Sequence, residues 1–183
     1  MKESLLRFNK DQKYLFFDYE TCNLNLVSED NKPWQLAFIL TDLNKIYDEQ
    51  DYVLSWKDLK VSKEAAKITG FNKSKYDKIK RCPQEALQHF EKYLYDEDII
   101  PVGHNVLGFD FYIHNIHRKL CKKKPDFSFV QRSIDTVCIA RAIKKAIKLS
   151  KGSDRCAWQY RLLNLRERKL KVNLLQCLSL IHI

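Results

Sequence analysis

Asp18 and Glu20 stand one residue apart at the end of an apolar run, Tyr14-Leu15-Phe16-Phe17. An aromatic and aliphatic run of this length reads as a buried strand. Side chains alternate along a strand, so positions i and i+2 share a face. The spacing therefore predicts two carboxylates on one side at the end of a hydrophobic strand. Like charges at a core edge repel unless a proton or a cation lies between them. A hard divalent cation resolves the conflict, and Mg²⁺ takes a few carboxylates together with water and substrate phosphate. The plain alternative is a strand running out into a solvated loop.

A second stretch, Val102-Gly103-His104-Asn105-Val106-Leu107-Gly108-Phe109-Asp110, reads as a strand end, a glycine-punctuated turn and a helix opened by Asp110. An acid in a first helical turn serves equally well as a cap or dipole partner. Convergence is what gives Asp110 weight. Open α/β sheets place ligands at the carboxyl ends of their strands, and Asp18, Glu20 and Asp110 are all expected just beyond such ends. Three carboxylates meeting there suit a divalent-metal site for phosphate chemistry.

The elements that must position them follow from periodicity. Trp34 to Leu40 and Tyr52 to Trp56 are further strand candidates, and short polar connections suit an antiparallel meander with the first strand. Ser62 to Ala66 starts a short helix ended by Thr69-Gly70. Pro83 fits the first turn of the next helix, whose apolar face is Ala86, Leu87, Phe90 and Leu94. Ile99 to Val102 is a short strand. Ile113, Ile116 and Leu120 mark one later helix face, and Val137, Ala140, Ile143 and Ile147 another. The order predicts an α/β fold whose single mixed sheet has an antiparallel meander and parallel strands, flanked by helices.

The chain has 183 residues, about one domain, and at 45% hydrophobic and 12% aromatic it can bury a core. A net charge of +10 points to a polyanionic partner. No apolar run reaches the length of a membrane span and no signal-peptide pattern opens the chain, so a cytoplasmic, intracellular protein without a membrane partner is expected. The six cysteines are scattered without a C-x-x-C pair, which reads as reduced thiols.

Phe17-Asp18-Tyr19-Glu20-Thr21 resembles the first motif of the DEDD, DnaQ-like 3′→5′ exonucleases, the group of the polymerase III epsilon subunit, exonuclease I and RNase T. Gly103-His104-Asn105 with Phe109-Asp110 resembles the second motif. Ser133-Ile134-Asp135-Thr136 to Arg141 is similar to the Asp-Thr…Ala-Arg segment of epsilon-like members. Ile68-Thr69-Gly70 is similar to the turn lining the 3′-nucleotide pocket in exonuclease I-like members. The resemblance covers about residues 14–147 and implies the ribonuclease H-like exonuclease fold.

It further implies that Asp18, Glu20 and Asp110 are the catalytic metal ligands, holding two Mg²⁺ or Mn²⁺ ions about 3.5–4 Å apart. Thr21, Thr69, Gly70 and Asn105 are then substrate-binding, and Asp135 is an acid outside the ligand set. The implied reaction releases nucleoside 5′-monophosphates from the 3′ end of single-stranded DNA or RNA, DNA being preferred. A replication or repair protein is the implied protein partner. The family's third motif, a His or Tyr followed by an Asp, is not found, since Tyr160 precedes Asn164 and His182 has no acid after it. The reading therefore expects an exonuclease domain over 1–177, incomplete at its C-terminus and, without the third motif, hydrolysing little or nothing as it stands. Residues 178–183 match a reading frame of a sequencing adapter and are expected to be a non-native tail. The alternative from another class is an inactive nucleic-acid-binding module of the same fold.

Other features carry plainer readings. His114 and His117 share a helix face and are read as partly exposed helix residues, with a metal-ligand alternative. Lys119, Lys122-Lys123-Lys124 and Lys144 to Lys151 read as solvated faces that a phosphate backbone could also use. Trp158 and Tyr160 read as packing residues.

Overall fold

The computed structural model describes residues 12–26 and 30–150, with side chains to residue 144. Expectations for the third motif, for Trp158 and Tyr160 and for the 178–183 tail lie outside the described residues, and that for Ile147 outside the described side chains.

Three strands open the fold: β1 (Lys13–Thr21), β2 (Pro33–Thr41) and β3 (Ile46–Val53). Three helices follow, α1 (Lys63–Thr69), α2 (Lys73–Ile79) and α3 (Pro83–Leu94). Next come β4 (Ile99–Gly103), α4 (Asp110–Leu120), β5 (Ile134–Asp135) and α5 (Thr136–Ser150). The strands make one five-stranded sheet in the order β3-β2-β1-β4-β5. β1 pairs antiparallel with β2 and parallel with β4, and β4 pairs parallel with β5. This is the mixed sheet expected from the sequence.

The two faces of β1 go to different places, as strand alternation requires. Leu15, Phe17 and Tyr19 point into the main core with Leu36, Phe38 and Leu40 of β2, under α3 and α4. Phe16 packs on the other face with Ile39 and Val102. α3 presents the face read from its spacing: Ala86, Leu87, Phe90 and Leu94 are all buried. Phe90 lies 5.1 Å from the ring of Phe17 and 5.5 Å from that of Phe38. Each such large apolar side chain contributes about 1.5–3 kcal/mol on burial, so this layer is what fixes β1 in the centre.

Several elements differ from the sequence reading. β1 runs on through Thr21, so Asp18 and Glu20 lie inside the strand rather than beyond it. The reason is β2, which pairs with β1 through Glu20↔Gln35 and, after a register shift, Thr21↔Pro33. The third strand spans Ile46–Val53 and not Tyr52 to Trp56. It is the sheet edge, and its Asp48, Glu49 and Asp51 suit an edge rather than a buried strand. Trp56 instead donates its indole N–H to the Pro33 carbonyl. α2 was missing from the reading because Tyr76 is its one buried side chain, which leaves no apolar period. β5 has two residues, too few to show a pattern. The apolar stripe of α5 is at best half-covered by the described residues, and Ala140 is exposed. No helix among the described residues is long and apolar enough to cross a membrane.

Candidate active site

The site forms where β1 outruns its parallel neighbour. The β1–β4 ladder stops at Phe16↔Val102, while β1 continues for five residues. β4 ends at Gly103, tight against β1. A Cβ on Gly103 would meet Val106 Cγ1 at 2.2 Å and the Phe17 carbonyl oxygen at 3.1 Å, so a glycine is needed for this close approach. Asn105 then takes the left-handed conformation, φ 63°, which Asn tolerates better than most residues. Asp135, at the end of β5, gathers the loop. Its carboxylate accepts from the N–H groups of Asn105 (3.0 Å), Leu107 (3.1 Å) and Val137 (2.9 Å). Asp135 thus holds the loop that delivers Asp110.

Asp110 opens α4 and is 2% exposed. Its Oδ1 accepts the Tyr19 N–H at 2.9 Å. That N–H belongs to the stretch of β1 with no β4 partner, so a buried donor finds its acceptor 91 residues away. Asp18 and Glu20, on either side of Tyr19, are half-buried. Burial, then the charge of Asp18, pushes the Glu20 carboxyl up to about 7. Burial, followed by Asp18 and opposed by the Tyr19 N–H, holds Asp110 well above the usual carboxylate range. The three acids therefore feel one another.

All three line one cleft of about 550 Å³. Thr21, Thr69, Asn105 and His104 line it too. α1 forms the far wall, stitched to the end of β1 by Ser62, whose N–H donates to the Cys22 carbonyl at 3.0 Å. The Ser62 hydroxyl also caps the helix, accepting from the Ala65 N–H at 3.0 Å. Gly70 ends α1 with φ 68° and stands outside the lining residues. Leu24 and Ile68 line the cleft while 79% and 81% exposed, an apolar lip left open to water.

His104 has a defined tautomer. The Thr136 hydroxyl donates to the Gly103 carbonyl at 3.1 Å, so its oxygen accepts from His104 Nδ1–H at 2.9 Å. Neutral His104 then carries its lone pair on Nε2. The sequence reading placed His104 in a motif but not in the site; its neighbour Asn105 and the Phe109-Asp110 pair were the available signal. His114 and His117 were read as partly exposed or as metal ligands. Both are fully buried and hydrogen-bonded to the Tyr19 hydroxyl. Burial pushes the His117 ring down to about 4, and burial first, then the His117 charge, pushes His114 well below its ordinary value.

The donor set of Asp18, Glu20 and Asp110 fits a hard divalent cation: oxygens alone, partly or wholly buried, with Asp18 raising the proton affinity of the other two. The side chains are not drawn together around a point. Among the described residues, no three His, Cys, Asp or Glu side chains already stand in place to hold a metal ion.

No family model matches the chain, and no curated protein does. Solved structures do. The crystal structure of E. coli exonuclease I in complex with a dA16 oligonucleotide superposes with a TM-score of 0.63 at 18% identity, covering 73% of this chain and 30% of that one. This is the exonuclease I fold. The zinc ion bound form of the E. coli exonuclease I–ssDNA complex gives the same TM-score, identity and coverage. A product-bound exonuclease I matches at 18% identity and TM-score 0.63, over 73% of this chain and 32% of that one. The chain thus spans about a third of the length of these structures.

Proposed function

We propose that this chain is the nuclease domain of a metal-dependent 3′→5′ exonuclease acting on single-stranded DNA and releasing nucleoside 5′-monophosphates. One observation carries the reading: two carboxylates from β1 and one from the start of α4 share a cleft, and the charge of Asp18 adds to burial in raising both Glu20 and Asp110. The fold shared with oligonucleotide-bound exonuclease I supports it.

In this reading Asp18, Glu20 and Asp110 hold Mg²⁺ or Mn²⁺, Asp18 and Glu20 turning toward Asp110 as they do. When bound, the ions supply Lewis-acid stabilisation of the phosphate charge and a water of lowered pKa. The chain supplies the rest. Leu24 and Ile68 offer apolar contact to a terminal base, and Thr21, Thr69 and Asn105 offer polar contacts around the sugar and phosphate. Gly70 serves by ending α1 at the cleft wall. His104 Nε2 offers a proton acceptor within the cleft. A replication or repair protein is the expected partner.

A second reading, a nucleic-acid-binding module of this fold without hydrolysis, draws on the fact that the acids are not already set around a metal position. One experiment separates the two. The chain is incubated with a 3′-labelled single strand and Mn²⁺, beside Asp18→Ala. Nucleotide release that disappears with the substitution would support the exonuclease. Binding without release in either protein would leave the module reading.

A further inference from the structure

We infer that Tyr19, acting through His114 and His117, is the positioning residue that sets Asp110 against Asp18 and Glu20. The inference rests on the proposed function and deepens it. Tyr19 lies between the two strand carboxylates but points to the opposite face of the sheet, into the core under α4. It meets α4 at three places. Its N–H donates to Asp110 Oδ1 at 2.9 Å. Its hydroxyl lies 3.3 Å from His114 Nδ1 and 3.2 Å from His117 Nδ1. Positions 110, 114 and 117 form one stripe of a helix. One strand residue therefore registers the whole inner face of the helix whose first residue is the third carboxylate.

The direction of each hydrogen bond follows from one end of the network. The Pro83 carbonyl can only accept, so His117 Nε2, 3.0 Å away, carries the proton. Neutral His117 then has its lone pair on Nδ1, and the Tyr19 hydroxyl donates to it. That spends the single phenol proton, so His114 Nδ1–H donates to the Tyr19 oxygen. His114 Nε2 is left to accept, and the Tyr95 hydroxyl, 3.3 Å away, donates to it. The chain runs from Tyr95 through His114, Tyr19 and His117 to the Pro83 carbonyl. Glu91, beside His114, is taken by Arg118 and Lys123. A buried chain with every member satisfied in one direction holds one arrangement.

This arrangement matters at Tyr19 because β4 has already left. Beyond Phe16 the ladder no longer registers β1 on that side, and Tyr19 links it to α4 instead. Tyr19→Phe would keep the ring contacts with Phe17 and Phe90. It would strand His114 Nδ1–H and His117 Nδ1 in the core and release α4 from its register with the strand carboxylates.

The test uses the full chain and Mn²⁺ alone, with free Mn²⁺ followed by electron paramagnetic resonance. Wild type is expected to bind Mn²⁺ and Asp18→Asn to lose it. Tyr19→Phe is expected to weaken Mn²⁺ binding about 10- to 100-fold, the usual effect of removing a group that orients ligands. Its affinity for a single-stranded oligonucleotide in EDTA should not change. His117→Gln, whose amide can accept from Tyr19 and donate to Pro83, should retain Mn²⁺ affinity, and His117→Leu should lose it. Wild-type Mn²⁺ affinity in a folded Tyr19→Phe, even with a lowered melting temperature, would show the network to be structural only. If Tyr19→Phe does not fold, the His117 pair decides: equal Mn²⁺ affinity in Gln and Leu variants overturns the inference, and a loss confined to Leu supports it. If wild type shows no Asp18-dependent Mn²⁺ binding, the metal reading falls and this inference with it.

Discussion

Proton affinity is the property that the candidate site shows most directly at the level of single residues. Glu20 is raised to about 7 and Asp110 well above its ordinary value, by burial and by Asp18. An acid raised in the folded state is more ionised when unfolded, so its contribution to stability is lost as pH rises from about 4.5 towards 7. On the proposed metal reading, divalent ions would offset that loss by binding the ionised form of the folded chain. Mg²⁺ or Mn²⁺ should therefore raise the melting temperature more at pH 8 than at pH 5, where the ions must displace protons. Thermal melts at the two pH values, with and without Mn²⁺, check this; a larger shift at pH 5 would contradict it. Asp18→Asn removes one source of repulsion. It should leave the metal-free protein at least as stable. Calorimetry in EDTA measures the change, and the same variant should show no Mn²⁺-dependent melting shift.

Among the elements, α4 joins core to site, and its two buried histidines give it a pH signature opposite to that of the acids. His117 falls to about 4 in the folded chain, against about 6.5 when unfolded. The unfolded chain takes the proton first, so this contribution is complete above pH 6.5 and lost as pH falls towards 4. The loss is on the order of 3 kcal/mol for that one ring. Urea midpoints at pH 7.5 and 4.5 should fall further for wild type than for His117→Gln, the comparison cancelling the acids common to both. Equal falls would show that the ring is not buried neutral. This was hidden in the sequence, because two histidines three apart on a helix share a face whether that face is exposed or buried. The strong periods were readable: β1 and β2 from continuous apolar runs, α3 from Ala86, Leu87, Phe90 and Leu94. β3 and α2 were not, since an edge strand and a nearly unburied helix carry no apolar period. Nor could the sequence show which N–H of β1 the departing β4 leaves open, the fact that brings Asp110 to Tyr19.

Across the molecule, the described residues place charge differently at the two edges of the sheet. The β3 edge carries Asp48, Glu49 and Asp51, while at the opposite edge β5 leads into α5, whose Arg141 and Lys144 are exposed. Basic groups near the end of α4 are partly committed, since Arg118 and Lys123 pair with Glu91. A single strand entering the cleft between the acids should therefore run towards the β5–α5 side, away from the β3 edge, where phosphates would meet like charge. Binding through such contacts releases counterions, and log K falls with log salt by about 0.7 per phosphate neutralised on a single strand. Arg141→Gln with Lys144→Gln should weaken oligonucleotide binding at low salt and reduce that slope by about 1 to 1.5. Glu49→Gln with Asp51→Asn, a charge change of the same size and opposite sign at the other edge, should leave the slope unaltered. The comparison is made by fluorescence anisotropy in EDTA over a salt series, so that hydrolysis does not enter. An unchanged slope in the α5 variant would show that the strand does not run on this side of the sheet, and opposite shifts of equal size in the two variants would mean that binding follows net charge.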